Sequence, residues 1–232
     1  MQKIDAIVFI KKDSERLPGK NFRSFNGQPL YSIILQTLNR HPLVEKILVD
    51  SDSDEVLNYV KSSIAKGIAI NRPAHLTGSH FSANDLIGHD ITFSSNEHFF
   101  QTHCTNPLLT AVTITDAIEK YFASLSVHDS LFSVTKIQNR FFDTKGNPVN
   151  HLKGQVLRLQ DMPPVFMENA SFFIFSKTSF TKAGNDRIGL APLLYTVNRL
   201  EGTDIDYEED FLLAELLYNN RHIFPQIFDK IS

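Results

Sequence analysis

A chain of 232 residues, 42% of them hydrophobic and 21% charged, is long enough to bury a large core in one domain and carries no low-complexity tract. Its formal net charge of −3 excludes a general basic surface for nucleic acid or an anionic membrane, so we expect neither as a partner. The single cysteine, Cys104, excludes an intrachain disulfide and fits a reducing compartment. The first apolar run is too short to span a membrane, and lysines follow it rather than precede it as in a signal peptide. These features indicate a folded cytoplasmic protein in which Cys104 is a small buried residue.

Short apolar runs alternate with amphipathic stretches, which is typical of strands and helices around a mostly parallel sheet. Residues 4–10 predict a buried strand, and apolar side chains at helical spacing over residues 30–38 predict a helix that Pro42 closes. A further helix follows Ser53, which we interpret together with Asp52 as a helix-capping cluster. The remaining predicted elements are strands at residues 46–50, 68–71, 98–102, 131–135 and 171–175 and helices at 84–93, 110–122 and 208–217. We expect an α/β fold whose sheet grows in sequence order.

The regular alternation breaks between residues 136 and 168, where asparagine, glycine and proline punctuate short extended pieces. We interpret residues 136–168 as an inserted arm on a single domain that spans residues 1–232. The apolar side chains near its extended pieces are Phe141, Phe142, Val149 and Phe166. Because edge strands and exposed aromatic side chains are costly to leave in water, we expect the arm to join two copies of the chain in a homodimer.

A polar loop after the first predicted strand has four cationic side chains within ten residues, at Lys11, Lys12, Arg16 and Lys20. It follows the carboxyl end of a strand, where open α/β sheets bind ligands. A triphosphate needs backbone N–H groups, a hydroxyl such as that of Ser14, and cations to offset repulsion among its own charges. The loop supplies all three, although it matches neither the Walker A pattern nor the glycine fingerprint of dinucleotide-binding proteins. A solvated basic loop is the alternative, and the position after the first strand favours a phosphate loop.

The loop reads Arg-Leu-Pro-Gly-Lys-Asn at residues 16–21 and resembles the loop of the acylneuraminate cytidylyltransferase family. Five further motifs match that family in the same order, namely Gly27-Gln28-Pro29-Leu30, Val49-Asp50-Ser51-Asp52, Arg72-Pro73-Ala74, Thr105-Asn106-Pro107-Leu108 and Asp204-Ile205-Asp206. The resemblance implies a Rossmann-like nucleotidyltransferase fold, with a mostly parallel sheet flanked by helices. It also implies a Mg²⁺-dependent reaction that joins CMP from CTP to an acidic 2-keto sugar of the sialic acid type and releases pyrophosphate.

The resemblance also implies which residues bind the nucleotide, namely Lys11, Ser14, Arg16, Lys20, Asn21 and Arg72. Lys20 is the expected catalytic cation, and Arg72 is expected at the base end of the site. Two positions depart from the family pattern, because Lys11 stands where arginine is usual and Glu15 where lysine is common. Lysine at position 11 cannot make the paired hydrogen bonds that an arginine guanidinium makes to a phosphate. Glutamate at position 15 removes a cation and adds an anion near the triphosphate. Nucleotide affinity is expected to be lower than usual unless Arg16 and the other cations of the loop compensate.

The resemblance places the acceptor sugar near Thr105, and several residues around that position depart from the family pattern. His103 stands where relatives commonly have a glutamine that helps to hold the sugar, and its alternative role is that of a hydrogen-bonded histidine at a strand end. Arg140 is a candidate for the sugar carboxylate, against the alternative of a surface arginine. Asn169 matches an asparagine at a strand entry of the family. We therefore expect an acidic acceptor that differs from common sialic acid around these residues.

Asp204 and Asp206 precede the last predicted helix, and alternate residues of an extended segment point the same way. Mg²⁺ prefers one or two carboxylates, with water and phosphate oxygens completing its coordination. Such a pair on its own usually caps a helix or stays solvated, but its match to the family's Asp-Ile-Asp motif favours a catalytic magnesium site. The histidines form no compact zinc-binding pattern, so no zinc site is predicted.

Three other functions fit parts of the pattern. A relative that binds a nucleotide or a partner protein without chemistry is favoured by Lys11 and Glu15 and opposed by Lys20 with the two aspartates. A sugar nucleotidyltransferase that uses another base fits the same motifs. A nicotinamide oxidoreductase is disfavoured by the missing glycine fingerprint. The general base for the expected transfer is unassigned, and a carboxylate acting through water would suffice.

Overall fold

The structure is a computed structural model that describes residues 2–78, 80–154, 157–223 and 225. Its strands are β1 (Ile4–Ile10), β2 (Ser24–Phe25), β3 (Gln28–Pro29), β4 (Val44–Ser51), β5 (Gly67–Asn71), β6 (His98–His103), β7 (Ser130–Ile137), β8 (Val165–Ser176) and β9 (Pro192–Thr196). Its α-helices are α1 (Leu30–Arg40), α2 (Asp54–Ser63), α3 (Ala83–Asp90), α4 (Ala111–Ser124), α5 (Lys177–Lys182) and α6 (Glu208–Asn219).

Seven strands form one sheet in the order β5-β4-β1-β6-β8-β7-β9. Strand β8 runs antiparallel to β6 and β7, and the other pairings in this sheet are parallel, which confirms the predicted mostly parallel sheet. The expected growth in sequence order is wrong after β5, because β6 pairs with the free side of β1. The strands that follow β1 in sequence are therefore added first on one side of β1 and then on the other. A crevice opens outside the carboxyl end of a strand at such a switch point, and ligands of open α/β sheets bind there.

Helices cover both faces of the sheet, which is why every residue of β1 is buried. Val8 and Ile10 pack in a core with residues of α1, α2 and α4, whereas Ile7 and Phe9 pack on the other face with residues of α3 and α5. Full burial of one such apolar side chain contributes about 1.5–3 kcal/mol, so both faces hold β1 firmly under the loop that follows it. Within the described parts of the chain, no helix is long and apolar enough to cross a bilayer.

The predicted strands and helices are confirmed, with ends that differ by a few residues. Helix α5, strand β9 and the two-residue strands β2 and β3 were not predicted from the sequence. Strand β9 begins at Pro192 and lies at the sheet edge, where proline is tolerated because no ladder hydrogen bond is lost. Helix α5 spans only six residues and carries little apolar periodicity. Short or edge elements of this kind give a weak sequence signal.

Residues 136–168 include the end of β7 and the start of β8, which pair antiparallel as far as Ile137 and Val165. The described part between them holds a bridge between Phe142 and Pro148 and a 3₁₀ turn at Leu159–Asp161. The segment is thus a long connection that prolongs two strands of the sheet. Its use as a dimerisation arm stays a prediction.

Candidate functional site

The loop after β1 is held by its own residues. Gly19 has a φ of 67°, in the left-handed region that favours glycine, and it turns the chain into a 3₁₀ turn at Lys20–Phe22. The Asn21 side chain donates from Nδ2 to the Lys11 carbonyl at 2.9 Å, and its Oδ1 accepts from Cys104 Sγ at 3.3 Å. Asn21 therefore closes the loop, and a contact of its amide with the nucleotide stays a prediction. Cys104 is buried as expected, and burial raises the pKa of its thiol to about 12.

Asp52 fixes the start of the loop from the neighbouring strand. Its Oδ1 accepts a hydrogen bond from the backbone N–H of Lys12 at 2.7 Å. Ser53 is the N-cap residue of α2, but its side chain makes no capping hydrogen bond. The predicted capping cluster is therefore wrong in its chemistry, because the carboxylate of Asp52 serves the loop of the adjacent strand.

Two other loop residues face outward. Lys11 is exposed, and its Nζ lies 3.4 Å from the Gly78 carbonyl, at the long limit for a hydrogen bond. Ser14 is half-buried, and its hydroxyl has no hydrogen-bond partner among the described residues. Both groups are therefore free to bind a phosphate, and their assignment stays a prediction.

The cations of the loop meet the Asp204–Asp206 segment from the far end of the chain. Lys20 Nζ donates to the Ile205 carbonyl and lies 3.3 Å from Asp206 Oδ1, while an Arg16 guanidinium nitrogen lies 2.5 Å from Asp206 Oδ2. The Ile205 N–H donates to the Thr105 carbonyl at 3.0 Å, which ties the segment to the residues just after β6. The Lys20 side chain is only 10% exposed, whereas that of Arg16 is 57% exposed. The structure thus brings together Arg16, Lys20, Thr105 and Asp206 at the switch point of the sheet.

Asp204 lies deeper than Asp206 and has spare acceptor capacity. Burial raises the pKa of its carboxyl group and the charge of Asp206 adds to this effect, whereas a hydrogen bond with Thr105 opposes it. Its Oδ1 is buried and has no hydrogen-bond partner among the described residues. A buried carboxylate oxygen without a donor is costly, and a cation would satisfy it.

His103 ends β6 on the same sheet face as Gln101, two residues earlier. Its Nε2 lies 3.1 Å from the Gln101 amide nitrogen, which is a donor, so Nε2 of the imidazole accepts and Nδ1 carries the proton. Burial, followed by the charges of Arg187 and Lys20, lowers the pKa of His103 to about 3. The imidazole is therefore neutral at physiological pH and cannot act as a protonation-dependent contact in this state. Gln101 and Arg187 were missed by the sequence analysis, since neither belongs to a motif.

Asn169 and Arg140, the other predicted sugar-binding residues, use their side chains elsewhere. The Asn169 amide accepts from the Ser133 hydroxyl at 2.7 Å and donates to the Thr135 hydroxyl at 3.0 Å, so it joins β7 to β8. Arg140 donates to the Leu157 carbonyl within the connection between these strands. Among the described residues, neither side chain has a hydrogen bond or ion pair to the phosphate loop or to Asp204 and Asp206. Their contacts with a sugar stay predictions.

A buried acid cluster lies beside the site, at the end of β4 and α3. Arg72 pairs through Nε with Asp50 Oδ1, and both side chains are almost completely buried. Only about 1% of the Arg72 side chain is exposed, and its predicted contact with the base stays a prediction. Asp90 Oδ1 lies 2.9 Å from His89 Nδ1, and ligand-type atoms of Asp50, His89 and Asp90 all lie within 4.8 Å of one another. These three residues are a metal-ligating type of cluster that the sequence analysis missed, because they are scattered along the chain.

We infer that a proton shared between Asp50 and Asp90 would satisfy this cluster without a metal. Asp50 Oδ2 and Asp90 Oδ2 are buried without a donor, and two carboxylate oxygens can bond to each other only when one carries a proton. Burial and the adjacent charge of Asp50 raise the pKa of Asp90 to about 9. With one proton, the pair of Asp50 and Asp90 carries a single negative charge, and the charge of Arg72 balances it.

We expect Asp90→Asn to stabilise the protein at alkaline pH. The unfolded Asp90 ionises near pH 4, while the folded group keeps its proton to about pH 9, so the wild-type protein loses stability as pH rises between these values. Asparagine keeps a donor toward Asp50 and cannot ionise, so thermal unfolding should show an advantage that grows from pH 5 to pH 8.5. Asp50→Asn is the matched control. It leaves Arg72 buried without a counter-ion and should cost about 3–5 kcal/mol. An equal loss in both variants would contradict the shared proton.

A cavity of about 500 Å³ lies apart from these residues, between the end of α1, the start of α4 and the end of α6. Its lining includes Arg40, His41, Leu108 and Tyr218. None of the predicted site residues lines it, so its size alone does not make it the reaction site. The convergence of the loop cations with the aspartates is the stronger indicator, because it assembles the charges that a phosphate needs.

The chain resembles known proteins over most of its length. Residues 6–223 match the family described as Cytidylyltransferase. The chain belongs to the cytidylyltransferase family. This cytidylyltransferase is 25% identical over 233 residues to the pseudaminic acid cytidylyltransferase of Campylobacter jejuni, with 94% of this chain and 97% of that protein covered. It is 24% identical over 222 residues to the CMP-N,N'-diacetyllegionaminic acid synthase of Legionella pneumophila, with 93% and 96% covered.

Two further comparisons extend the likeness. The cytidylyltransferase is 23% identical over 250 residues to the N-acylneuraminate cytidylyltransferase of Escherichia coli, covering 99% of this chain and 57% of that protein. A solved structure of CMP:2-keto-3-deoxy-manno-octonic acid synthetase complexed with CTP superimposes with a TM-score of 0.69 at 11% identity, covering 95% of this chain and 100% of that one. The latter supports the fold alone. Together with the family match, these findings confirm the expected divergent member and identify the protein as a nucleotidyltransferase.

Proposed function

We propose that the protein transfers CMP from CTP to an acidic 2-keto sugar of the nonulosonate class and releases pyrophosphate, in the cytoplasm. The observation that carries this proposal is the meeting of Arg16 and Lys20 with Asp206 at the carboxyl end of β1. The arrangement places cations that can bind a triphosphate next to carboxylates that can bind a metal ion. The relatives named for pseudaminic acid, N-acylneuraminate and legionaminic acid support an acceptor of this class.

The proposed chemistry is attack by the sugar hydroxyl on the α-phosphorus of CTP, in line with the departing pyrophosphate. Lys20 and the loop amides hold the triphosphate, and Arg16 is exposed enough to swing toward it. Lys20 is confined by its bond to the Ile205 carbonyl, so its charge has a fixed position when the nucleotide binds. Fixed charges stabilise developing charge without reorganisation, which is the largest contribution expected from this site.

We propose that Asp204 and Asp206 hold Mg²⁺. The residues fit the ion, because Asp204 has a buried carboxylate oxygen without a donor and Asp206 is a carboxylate only two residues away. When bound, Mg²⁺ would neutralise charge on the phosphoryl oxygens. Asp204 thus offers the ion an oxygen that has no donor among the described residues, whereas Asp206 would exchange its ion pairs with Arg16 and Lys20 for the metal as these cations turn to the phosphates.

The main alternative is a relative that binds nucleotide without turnover, and the change to Glu15 was its best support. Glu15 is exposed and has no hydrogen bond or ion pair among the described residues. Its charge is therefore screened by solvent and does not neutralise Arg16 or Lys20. This observation favours an active enzyme.

The test of the function is a matrix of nucleotides and sugars with pyrophosphate release as the readout. CTP, UTP and ATP are each combined with N-acetylneuraminic acid, 3-deoxy-octulosonate, pseudaminic acid and diacetyllegionaminic acid. We expect release only with CTP and an acidic sugar, and weaker activity on N-acetylneuraminic acid than on another nonulosonate. Nucleotide binding without pyrophosphate release in every combination would favour the inactive relative. N-acetylneuraminic acid as the best acceptor by a wide margin would contradict the divergent acceptor.

We propose that residues 136–168 mediate a homodimer, and sedimentation velocity tests this. The segment exposes apolar side chains, including Phe142, Leu152 and Val149, the last of which is 64% exposed. Val149→Asp should shift the protein to monomer at concentrations where the wild type is a dimer. Val127→Asp, at a valine outside the segment that is 72% exposed, is the matched control and should leave the dimer intact. A wild-type protein that sediments only as monomer at high concentration would refute the proposal.

A further inference from the structure

Arg187 lies in the connection between α5 and β9 and projects over the sheet face that carries Gln101. Its guanidinium carbon is 3.6 Å from the centre of the Phe173 ring, and one terminal nitrogen donates to Gln101 Oε1 at 2.6 Å. These two contacts fix the plane of the guanidinium, and its other N–H donors have no acceptor among the residues that the structure describes. Arg187 is thus held in one orientation by its neighbours.

In the described parts of the chain, Arg187 forms no ion pair. Burial lowers its pKa to about 10, and Glu168 and Asp186 offset this only through longer-range charge interactions. Among the residues that the structure describes, no carboxylate oxygen lies within 4.0 Å of the Arg187 nitrogens. A partly buried guanidinium without a paired anion is costly, and an anionic ligand would remove that cost.

Gln101 links Arg187 to His103 through hydrogen bonds that fix the orientation of each side chain. Because the guanidinium donates to Gln101 Oε1, the amide nitrogen must point toward Thr102 O and His103 Nε2, which lie 3.1 Å away. His103 then presents Nδ1–H as a second donor, and this atom has no hydrogen-bond partner among the described residues. Two donors that need an acceptor therefore occur together at the end of β6.

These donors lie next to the nucleotide site. The charges of Arg187 and Lys20 both lower the pKa of the His103 imidazole, so both cations lie within range of its ring. His103 is also in register with Phe9, one residue before β1 ends and two before the phosphate loop begins. An anion bound at Arg187 would thus lie near the end of β1, where the phosphate loop begins.

We propose that Arg187, oriented by Gln101 and assisted by His103, binds the carboxylate of the acidic sugar acceptor. This inference rests on the proposed function and replaces Arg140, whose guanidinium bonds to a carbonyl of its own segment. Guanidinium and carboxylate match as a bidentate pair, which fixes the direction of the sugar as well as its charge. Arg187 is then a determinant of specificity for acidic over neutral sugars.

The test compares the best acidic sugar of the panel with its C1 methyl ester, in the wild type, Arg187→Gln and Arg187→Lys. We expect Arg187→Gln to lower kcat/KM for the acid by about 100-fold, chiefly through KM, with little change for the ester. The preference for acid over ester should collapse, the KM for CTP should stay near the wild-type value, and Arg187→Lys should restore part of the preference. Arg40→Gln, at an exposed arginine away from the site, is the control.

Several outcomes would overturn the inference. An unchanged preference for the acid in Arg187→Gln would do so, and a raised KM for CTP with that preference intact would assign the anion to the triphosphate. Thermal unfolding of each variant shows whether it is folded, and glutamine retains a donor for Gln101. If the wild type releases no pyrophosphate with any sugar, the proposed function has failed. The rise in unfolding temperature caused by acid but not by ester, and its loss in Arg187→Gln, then still tests the carboxylate site.

Discussion

Lys20→Ala should lower kcat by about 10²–10³-fold, the effect typical of removing one preorganised group that stabilises the transition state. The ammonium group of Lys20 is almost completely buried, and it is fixed by the Ile205 carbonyl and by Asp206. A water molecule that fills the space left by the lysine side chain cannot supply the positive charge that the phosphates need. Pyrophosphate release under saturating CTP and sugar is the measurement.

Stability must be measured alongside the Lys20 variant. Loss of the ammonium leaves the buried Ile205 carbonyl without this donor, which costs about 1–3 kcal/mol. Assays well below the unfolding midpoint separate this cost from the loss of turnover. Lys61→Ala, at an exposed lysine of α2, should change neither quantity. Unchanged turnover in Lys20→Ala would remove this lysine from the active site.

Asp204→Asn and Asp206→Asn should each raise the Mg²⁺ concentration for half-maximal turnover by about tenfold or more. Each substitution keeps the shape of the side chain and removes a charge from a site that suits a hard cation. Asp206→Asn carries a second expectation, since it releases Arg16 and Lys20 from their ion pairs. CTP binding in the presence of EDTA should therefore be no weaker than in the wild type.

Asp206→Asn should weaken Mg²⁺ binding without weakening CTP binding, and this combination makes the experiment specific. A general loss of folding would weaken both. Glu209→Gln, an exposed acid at the start of α6, is the control and should leave the Mg²⁺ titration unchanged. A titration that matches the wild type in both aspartate variants would show that the metal binds elsewhere.

The sequence predicted those features whose signal is local. Strand β1 has seven consecutive apolar or buried positions, and the cations of its loop are clustered, so both were visible without a structure. Asp204 and Asp206 were recognisable as a motif, but their contact with Lys20 was not predictable from spacing, because 186 residues separate Lys20 from Asp206. A sheet must place its strands before such distant segments can meet.

The residues that the sequence did not reveal depend on burial. Asp50 and Arg72 belong to two of the family motifs, but their pairing was not predicted, and only the packing of α3 places Asp90 against them. Asn169 matched a family asparagine, yet its amide is used between β7 and β8, next to Ala170 with its unusual φ of 52°. Arg187 is a single arginine in a short connection, and nothing in its neighbours along the chain indicates that its charge is buried without a counter-ion.

The separation of the two halves of the site also governs when an active protein can exist. The phosphate loop is complete once residue 21 has been synthesised, whereas its acidic partner arrives with Asp206, after the strands of the main sheet. Contacts between such distant residues are slow to form, because the loop between them must first be ordered by packing. On the ribosome, the cationic loop would therefore lack its acidic partner for most of the synthesis of the protein, including the time in which the strands of the sheet are made. The ion pairs of Asp206 with Arg16 and Lys20 can form only after the strands of the sheet have been made.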